Sequence, residues 1–389
     1  MNTVLVIGCH LSGLGVIRAL GTYNLRIIAL SYELTDMGTT SKYVSEKHRI
    51  PHPTREEKAF IQYLLDNGPH WGGALIFDCD DHVAVSLSRH KDLLTGYYRI
   101  VTADWEIFTQ FIDKDKTYQL ARECGVPYPK TFTPKSIEEI ARIKQEVEYP
   151  CIIKAVRGHE FKSKFNHKVF EISTPDELEE KFRLCLESKM DVVVQEVIPG
   201  TDSNIYKMQA YINSKGKMVG KFFYRKLRQN PPQFGVTRVA ISTEKNLEVE
   251  ELSARMLAHS KFRGMCNFEF KKDERDGKLK LIEVNVRMSR INWLPTFCGM
   301  NFPWIIYLDL IKDEQIMADD YRKNVYIIEL YSDLLTTLFR HNRENFTMRE
   351  YIQPYLAKDK TFVDLSLQDI KPFLKRTIVL PIICTKGLN

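Results

Sequence analysis

The chain has 389 residues, 44% hydrophobic and 27% charged, which allows two or three domains of an ordinary globular protein. Its net charge of +6 is mild and its Lys and Arg are scattered, so no nucleic-acid partner is expected, whereas anionic small molecules suit it. The eight Cys include no CxxC pair, MNTVLVIGCHLSG has no signal-peptide pattern, and TIVLPIIC is far shorter than the ~20 residues of a spanning helix. A cytoplasmic protein without disulfides, zinc or a membrane span is expected.

TVLVI (3–7) reads as a buried strand ended by Gly8, with a helix near Ser12–Leu20 and a second strand, LRIIALS (25–31). The helix TREEKAFIQYLLDNG, the strand ALIFDCDD and a helix around 83–94 follow, and this alternation implies a parallel, doubly wound sheet. The first turn, Gly8-Cys-His-Leu-Ser-Gly13-Leu-Gly15, lacks the GxGxxG order of a dinucleotide site. Asp80-Asp81 ends a parallel strand, where such sheets bind ligands, and a helix cap explains the pair equally well.

A boundary falls near 110–115, before the helix KDKTYQLARECG and the extended GVPYPK. Strand CIIKA (151–155), the polar loop VRGHEFKSKFNHK, strand VFEIS and helix PDELEEKFRLCLES come next. Strand DVVVQEVI (191–198) ends in Pro199-Gly200, and strands at 205–213, 217–226 and 236–242 precede a helix at 247–260. The last strands lie at 265–272 and 279–288; the segment 313–389 carries no readable motif, which leaves open whether it completes a pocket or forms a homodimer.

Those last strands, MCNFEFKKDERDGKLKLIEVNVR, carry the chemistry. Asp276-Gly277 signals a tight turn, and a three-residue loop, Arg275-Asp276-Gly277, sets Glu269 opposite Glu283. That register also gathers Phe268, Phe270, Ile282 and Val284 on one face. Two carboxylates so close repel unless a cation lies between them. With Asn285 on the same face, the all-oxygen set Glu269, Glu283 and Asn285 suits Mg²⁺ carrying phosphate oxygens. Arg287, one step along, can grip a phosphoryl group with two hydrogen bonds. A salt-bridged surface hairpin is the plain alternative.

Lys154, in the apolar strand PCIIKA, calls for an anion if it is buried and for water if it snorkels. VVVQEVIPGTDSN can offer backbone groups to an adenine edge and Asp202 to ribose hydroxyls, although Asp also favours such turns.

FIDK, GVPYPKTF, PCIIKA, VVVQEVIPGTDSN and FEFKKDERDGKLKLIEVNVR, in this order over about residues 1–312, resemble the ATP-grasp superfamily of carboxylate–amine ligases. VQEVIPGTDSNIY and YRKLRQNPPQFGVT look most like its D-aspartate ligase-like branch. The resemblance implies an α/β and α+β fold: an N-terminal doubly wound parallel-sheet (pre-ATP-grasp) domain over 1–112 and a two-lobed ATP-grasp domain over 113–312. The second would hold Lys154 and a hinge at 195–200 in one lobe and the metal hairpin 265–288 in the other, with 313–389 as a C-terminal extension.

The resemblance further implies that Lys114 and Lys154 contact the nucleotide phosphates. Gln195 or Glu196 and Ile198 would present main-chain groups to adenine, with Asp202 at the ribose. Glu269, Glu283 and Asn285 would bind Mg²⁺, or Mn²⁺ in its place, and Arg287 would stabilise the transferring phosphate of ATP. Two positions depart from the family pattern. The loop after Lys154 has one Gly, leaving His159, Lys162 and Lys164 to cover the γ-phosphate, and Val286 stands where many members have Pro.

The implied reaction makes an amide through an acyl phosphate, joining a small-molecule carboxylate and an amine, one of them an amino acid such as D-aspartate. A regulatory nucleotide-binding module without turnover and a kinase-like phosphotransferase are the alternatives. Strand alternation places Lys226 and Arg228 on one face, available to a carboxylate or acyl phosphate, and a solvated basic edge competes with that reading. Mobile flaps are expected at 157–167 and 228–236.

Overall fold

Three sheets, laid down in chain order, organise the computed structural model, which describes residues 2–156, 161, 164, 165, 167, 169–340 and 346–385. β1 (Thr3–Ile7), β2 (Arg26–Ser31), β3 (Glu46–Arg49), β4 (Leu75–Asp78) and β5 (Arg99–Ile100) form a wholly parallel sheet in the order β3-β2-β1-β4-β5. The helices α1 (Leu11–Leu20), α2 (Glu57–Trp71), α3 (Asp81–Arg89) and α4 (Lys91–Leu94) follow its strands. Alternation divides the sheet: Val4, Val6 and Phe77 share a core with Val16 and Ile17 of α1, whereas Leu5, Ile7 and Ile76 pack with Phe60 and Leu64 of α2. Gly13 is there for packing, since a Cβ at that position would sit 2.4 Å from the Gly8 carbonyl oxygen.

After α5 (Trp105–Ile112) and α6 (Lys114–Glu123) comes a four-stranded antiparallel sheet in the order β6-β9-β7-β8. Its strands are β6 (Thr131–Phe132), β7 (Cys151–Ala155), β8 (Phe170–Ile172) and β9 (Val192–Glu196), with α7 (Ile137–Glu146) and α8 (Pro175–Glu187). Cys151, Ile153, Val192 and Val194 turn toward Ile140, Ile143 and Phe182 on the helices. The opposite face therefore presents Ile152, Lys154 and Gln195, and all three line a cleft.

The third sheet has seven strands in the order β14-β13-β10-β11-β12-β15-β16, antiparallel except for its last pair. β10 (Ile205–Ile212), β11 (Met218–Asn230) and β12 (Val236–Ser242) precede α9 (Leu247–His259), then β13 (Gly264–Lys272) and β14 (Leu279–Asn285). The short helices α10 (Trp293–Cys298) and α11 (Phe302–Tyr307) lead to β15 (Tyr326–Ile328), α12 (Leu330–Arg340), α13 (Met348–Leu356), β16 (Lys360–Phe362) and α14 (Lys371–Thr385). The segment beyond residue 312, which has no sequence motif, thus supplies two strands to the same sheet. Buried Arg18 of α1 also ties to it, donating to the Asp369 carboxylate at 3.1 Å and to the Asp364 carbonyl at 2.9 Å.

The β13–β14 hairpin reaches the expected pairing by another route. Next to the turn Lys272 faces Leu279, so the loop holds four residues, 274–277, rather than three. That register alone would set Glu269 opposite Ile282. A bulge at Ile282 absorbs the extra residue, and Glu269 faces Glu283, Phe268 faces Val284 and Asn267 faces Asn285. Ile282 consequently leaves the apolar face assigned to it. Leu281 packs in the core instead, and Ile282 lines the cleft. Among the described residues no helix is long and apolar enough to cross a membrane.

Candidate active site

Side chains from the second and third sheets, and from α3 and the segment before α2, converge on one cleft of about 850 Å³. On one wall lie Lys114, the first residue of α6, and Lys154 of β7. Lys154 is 8% exposed and donates to Gln195 Oε1 at 2.7 Å and the Tyr118 hydroxyl at 3.3 Å. Burial pulls its pKa down to about 8 against the partial support of Glu283 and Glu269. Lys114 is lowered as well, by burial first and then by the charge of Lys154. Two ammonium groups held in this way are a receptor for an anion.

Across the cleft stands the hairpin. Asn285 Nδ2 donates to Glu283 Oε1 at 2.9 Å, and Asn285 Oδ1 accepts from Arg287 at 3.3 Å. Arg287 lies just past the end of β14 and forks onto both carboxylate oxygens of Asp81. The Arg287 pKa is raised: burial opposes the charge, but Asp81 beside it outweighs burial. Asp81, in the first turn of α3, is held below its usual value by the same pair, while Asp80 serves as the helix cap, accepting from Val83 N at 3.0 Å. The two readings of Asp80-Asp81 thus divide between the residues: Asp80 caps, and Asp81 faces the cleft.

Glu269 is bracketed by two lysines, Lys226 at 2.9 Å from Oε1 and Lys207 at 2.6 Å from Oε2. Burial would raise its pKa, but these charges prevail and hold it low. Lys207, on β10, was not singled out in the sequence. Its signal is the one that marks Lys154, a lysine facing the wet side of an otherwise apolar strand, NIYKMQAYI. Asn267, Tyr118, Tyr224 and Arg290 also line the cleft without having been marked.

Lys226 and Arg228 do not share a face. A bulge in the β11–β12 ladder breaks the alternation between them. Lys226 enters the cleft, whereas Arg228 turns into the protein and forks onto Asp333 of α12 at 2.8 and 2.7 Å. Arg228 is 4% exposed and does not line the cleft. The expectation that it meets substrate is corrected accordingly.

At the hinge, Gln195, Glu196 and Ile198 all line the cleft. The Glu196 carboxylate is engaged, accepting from Lys130 N and Arg275 at 2.8 Å each, so only its main chain can serve a ligand without breaking those bonds. Asp202 lies off the cleft lining and binds the end of β11 and the loop after it, accepting from Gln229 N, Gln229 Nε2 and Gln233 N. Of the expected flaps, residues 233–236 line the cleft, Lys164 is exposed, and His159 and Lys162 lie outside the described residues.

Could this site hold a divalent cation? Among the described residues there is no cluster of three or more His, Cys, Asp or Glu side chains built for one. The hairpin offers a different set, two carboxylates and amides, all hard oxygen donors. Asn267, paired with Asn285, turns a buried Oδ1 without a hydrogen-bond partner among the described residues, and it lines the cleft. That orphaned oxygen beside Glu283 and Asn285 fits a Mg²⁺-type ion.

Residues 225–330 match a family model described as ATP-grasp in the biosynthetic pathway with Ter operon. Over that stretch the chain resembles an ATP-grasp family. It is 27% identical over 261 residues to D-aspartate ligase from Enterococcus faecium, a match spanning 64% of this chain and 62% of that protein. In structure it resembles N5-carboxyaminoimidazole synthetase from Staphylococcus aureus (TM-score 0.65, 15% identity, 87% and 86% coverage). It also resembles the biotin carboxylase domain of Hydrogenobacter thermophilus 2-oxoglutarate carboxylase, bound to MgADP and bicarbonate (TM-score 0.65, 17% identity, 84% and 73% coverage). The α/β and α+β ATP-grasp architecture read from the sequence is borne out, as is the resemblance to D-aspartate ligase.

Proposed function

We propose that this protein is an ATP-dependent, ADP-forming carboxylate–amine ligase that takes an amino acid such as D-aspartate as one substrate. One observation carries the reading. A pair of anion-starved lysines, Lys114 and Lys154, faces an oxygen-rich hairpin across a single cleft. The 27% identity to a D-aspartate ligase supports it.

Lys114 and Lys154 bind the phosphates, and the main chain at 195–198 takes the adenine. Glu283, Asn285 and one oxygen of Glu269 would hold Mg²⁺, which when bound neutralises phosphate charge. Lys207 and Lys226 keep Glu269 ionised and compensated until then. A substrate carboxylate oxygen attacks the γ-phosphorus, the bond to the β-phosphate oxygen breaks, and ADP leaves. Arg287, held by its fork onto Asp81, steadies the transferring phosphoryl group with its positive charge. The amine nitrogen then attacks the acyl carbon, inorganic phosphate departs, and the nitrogen loses its proton. Arg55 also lines the cleft, which suits a substrate with a second carboxylate.

A coupled ADP-release screen of amino acids, both enantiomers, against carboxylate and amine acceptors tests this. The expected result is ADP release that requires both substrates, with one amide formed per ADP. ADP formation with a stable phosphorylated product and no amide, or Mg-ATP binding with no turnover across the panel, would overturn it.

A further inference from the structure

Thr54, in the segment before α2, and His82, in the first turn of α3, line the cleft and take no part in holding nucleotide or metal. Thr54 Oγ1 lies 3.1 Å from His82 Nδ1 and 3.2 Å from Nδ1 of His52, a ring only 7% exposed. The His52 and His82 rings meet edge to face, with centroids 5.2 Å apart.

The proton positions in this trio follow from the backbone. His52 Nδ1 accepts from Thr54 N at 3.2 Å and from Arg55 N at 3.3 Å, so that nitrogen carries a lone pair and His52 is the neutral Nε2–H form. Burial, and then the charges of His82 and Arg55, lower the His52 pKa and favour the same form. A hydroxyl has one hydrogen to give. If Thr54 gave it to His82, its oxygen lone pairs would face the His52 lone pair across 3.2 Å and repel it. If Thr54 gives it to His52, the hydroxyl oxygen accepts from His82 Nδ1–H, and both contacts are attractive. Neutral His82 therefore carries its lone pair on Nε2, across the ring from Thr54.

We propose that His82 is the base that deprotonates the amine substrate, with Thr54 and His52 as positioning residues that hold it in the competent tautomer; this rests on the ligase reading. Asp81, the residue before His82, holds Arg287 through both carboxylate oxygens, which sets the ring one residue from the partner of the phosphoryl-steadying arginine. An ammonium gives one proton to His82 Nε2, and the electron pair so released attacks the acyl carbon. The bond from that carbon to the phosphate oxygen breaks, inorganic phosphate takes the electron pair, and the second proton lost by the nitrogen goes to the phosphate. Around the two rings, Glu33, Asp80 and Asp81 favour the imidazolium, and Arg55 and Arg287 oppose it. Asp80 also accepts from the Tyr32 hydroxyl and lies 3.4 Å from His10 Nε2.

Mg-ATP and D-aspartate, with either hydroxylamine or methylamine as nucleophile, separate this base from phosphoryl transfer. Hydroxylamine is already unprotonated at neutral pH, whereas methylamine is an ammonium there. Wild type should make both the hydroxamate and the N-methylamide. His82→Gln should lower N-methylamide formation at pH 7 on the order of a hundredfold and hydroxamate formation by no more than about twofold, which also shows that the variant is folded. Its N-methylamide rate should keep rising with pH toward the ionisation of methylamine itself, where the wild-type rate has levelled off. Thr54→Val should lower N-methylamide formation at least about fivefold with the same change of pH profile, and Thr54→Ser should restore it. Equal losses with the two nucleophiles, no loss with methylamine, or a wild type that makes only the hydroxamate would overturn the assignment. No product and no ADP with either nucleophile would overturn the ligase reading, and the assignment with it.

Discussion

Glu269 and Glu283 face each other across β13 and β14 because Ile282 bulges out of the ladder between them and the turn. The bulge does two things at once. It brings two carboxylates to the same rung, and it turns Ile282 from the core into the cleft, beside the wall that holds Lys154.

Glu283→Gln keeps the shape and hydrogen-bonding reach of the side chain but removes the charge from the proposed ion site. ADP release should fall by at least about a hundredfold, with far-UV circular dichroism unchanged and Tm within a few degrees. Near-normal turnover would remove Glu283 from the site.

Lys154→Met should weaken nucleotide binding at least about tenfold, measured by calorimetry. In the wild type, affinity should decline as pH rises through about 8, because the free lysine loses its proton there; in the variant that step should vanish. Stability should move the opposite way. A lysine lowered from 10.5 to about 8 by burial binds fewer protons folded than unfolded between those values, so stability rises across that window in the wild type. The variant should be at least as stable as the wild type at pH 7 and show a flatter profile.

Arg287→Lys retains a positive charge but cannot fork onto Asp81 or a phosphoryl group. The kcat should fall on the order of a hundredfold while the KM for ATP changes little. A parallel loss of nucleotide affinity would place Arg287 on the ground-state nucleotide instead of on the group in transfer.

Arg228 and Lys226, two residues apart on β11, should separate cleanly. Arg228→Met leaves Asp333 buried with one cation fewer and should cost about 3–5 kcal/mol in urea unfolding, with the KM for ATP unaltered. Lys226→Met, which leaves buried Glu269 with Lys207 alone, should lower turnover as well as stability.

Much of this arrangement is legible locally. The alternation of β7 that marks Lys154, the parallel sheet of the first hundred residues and the oxygen-donor set of the hairpin all follow from periods of two and from strand–helix order. The bulges at Ile282 and after Lys226 do not, because a strand sequence does not state where its partner will drop a rung. Thus the Glu269–Glu283 pairing was read from a loop one residue too short, and the same kind of slip sent Arg228 to the wrong side.

By itself, the sequence determined which side chains could meet phosphate and a hard cation, since residue chemistry and short-range periodicity are local properties of the chain. Tertiary structure alone decided that Asp81 aims Arg287, that Lys207 joins Lys226 on Glu269, and that β15 and β16 complete the large sheet. Those partners come from distant segments: Asp81 and Arg287 are 206 residues apart, and Arg18 and Asp369 are 351. Burial and charge pairing, which no local pattern encodes, brought them together.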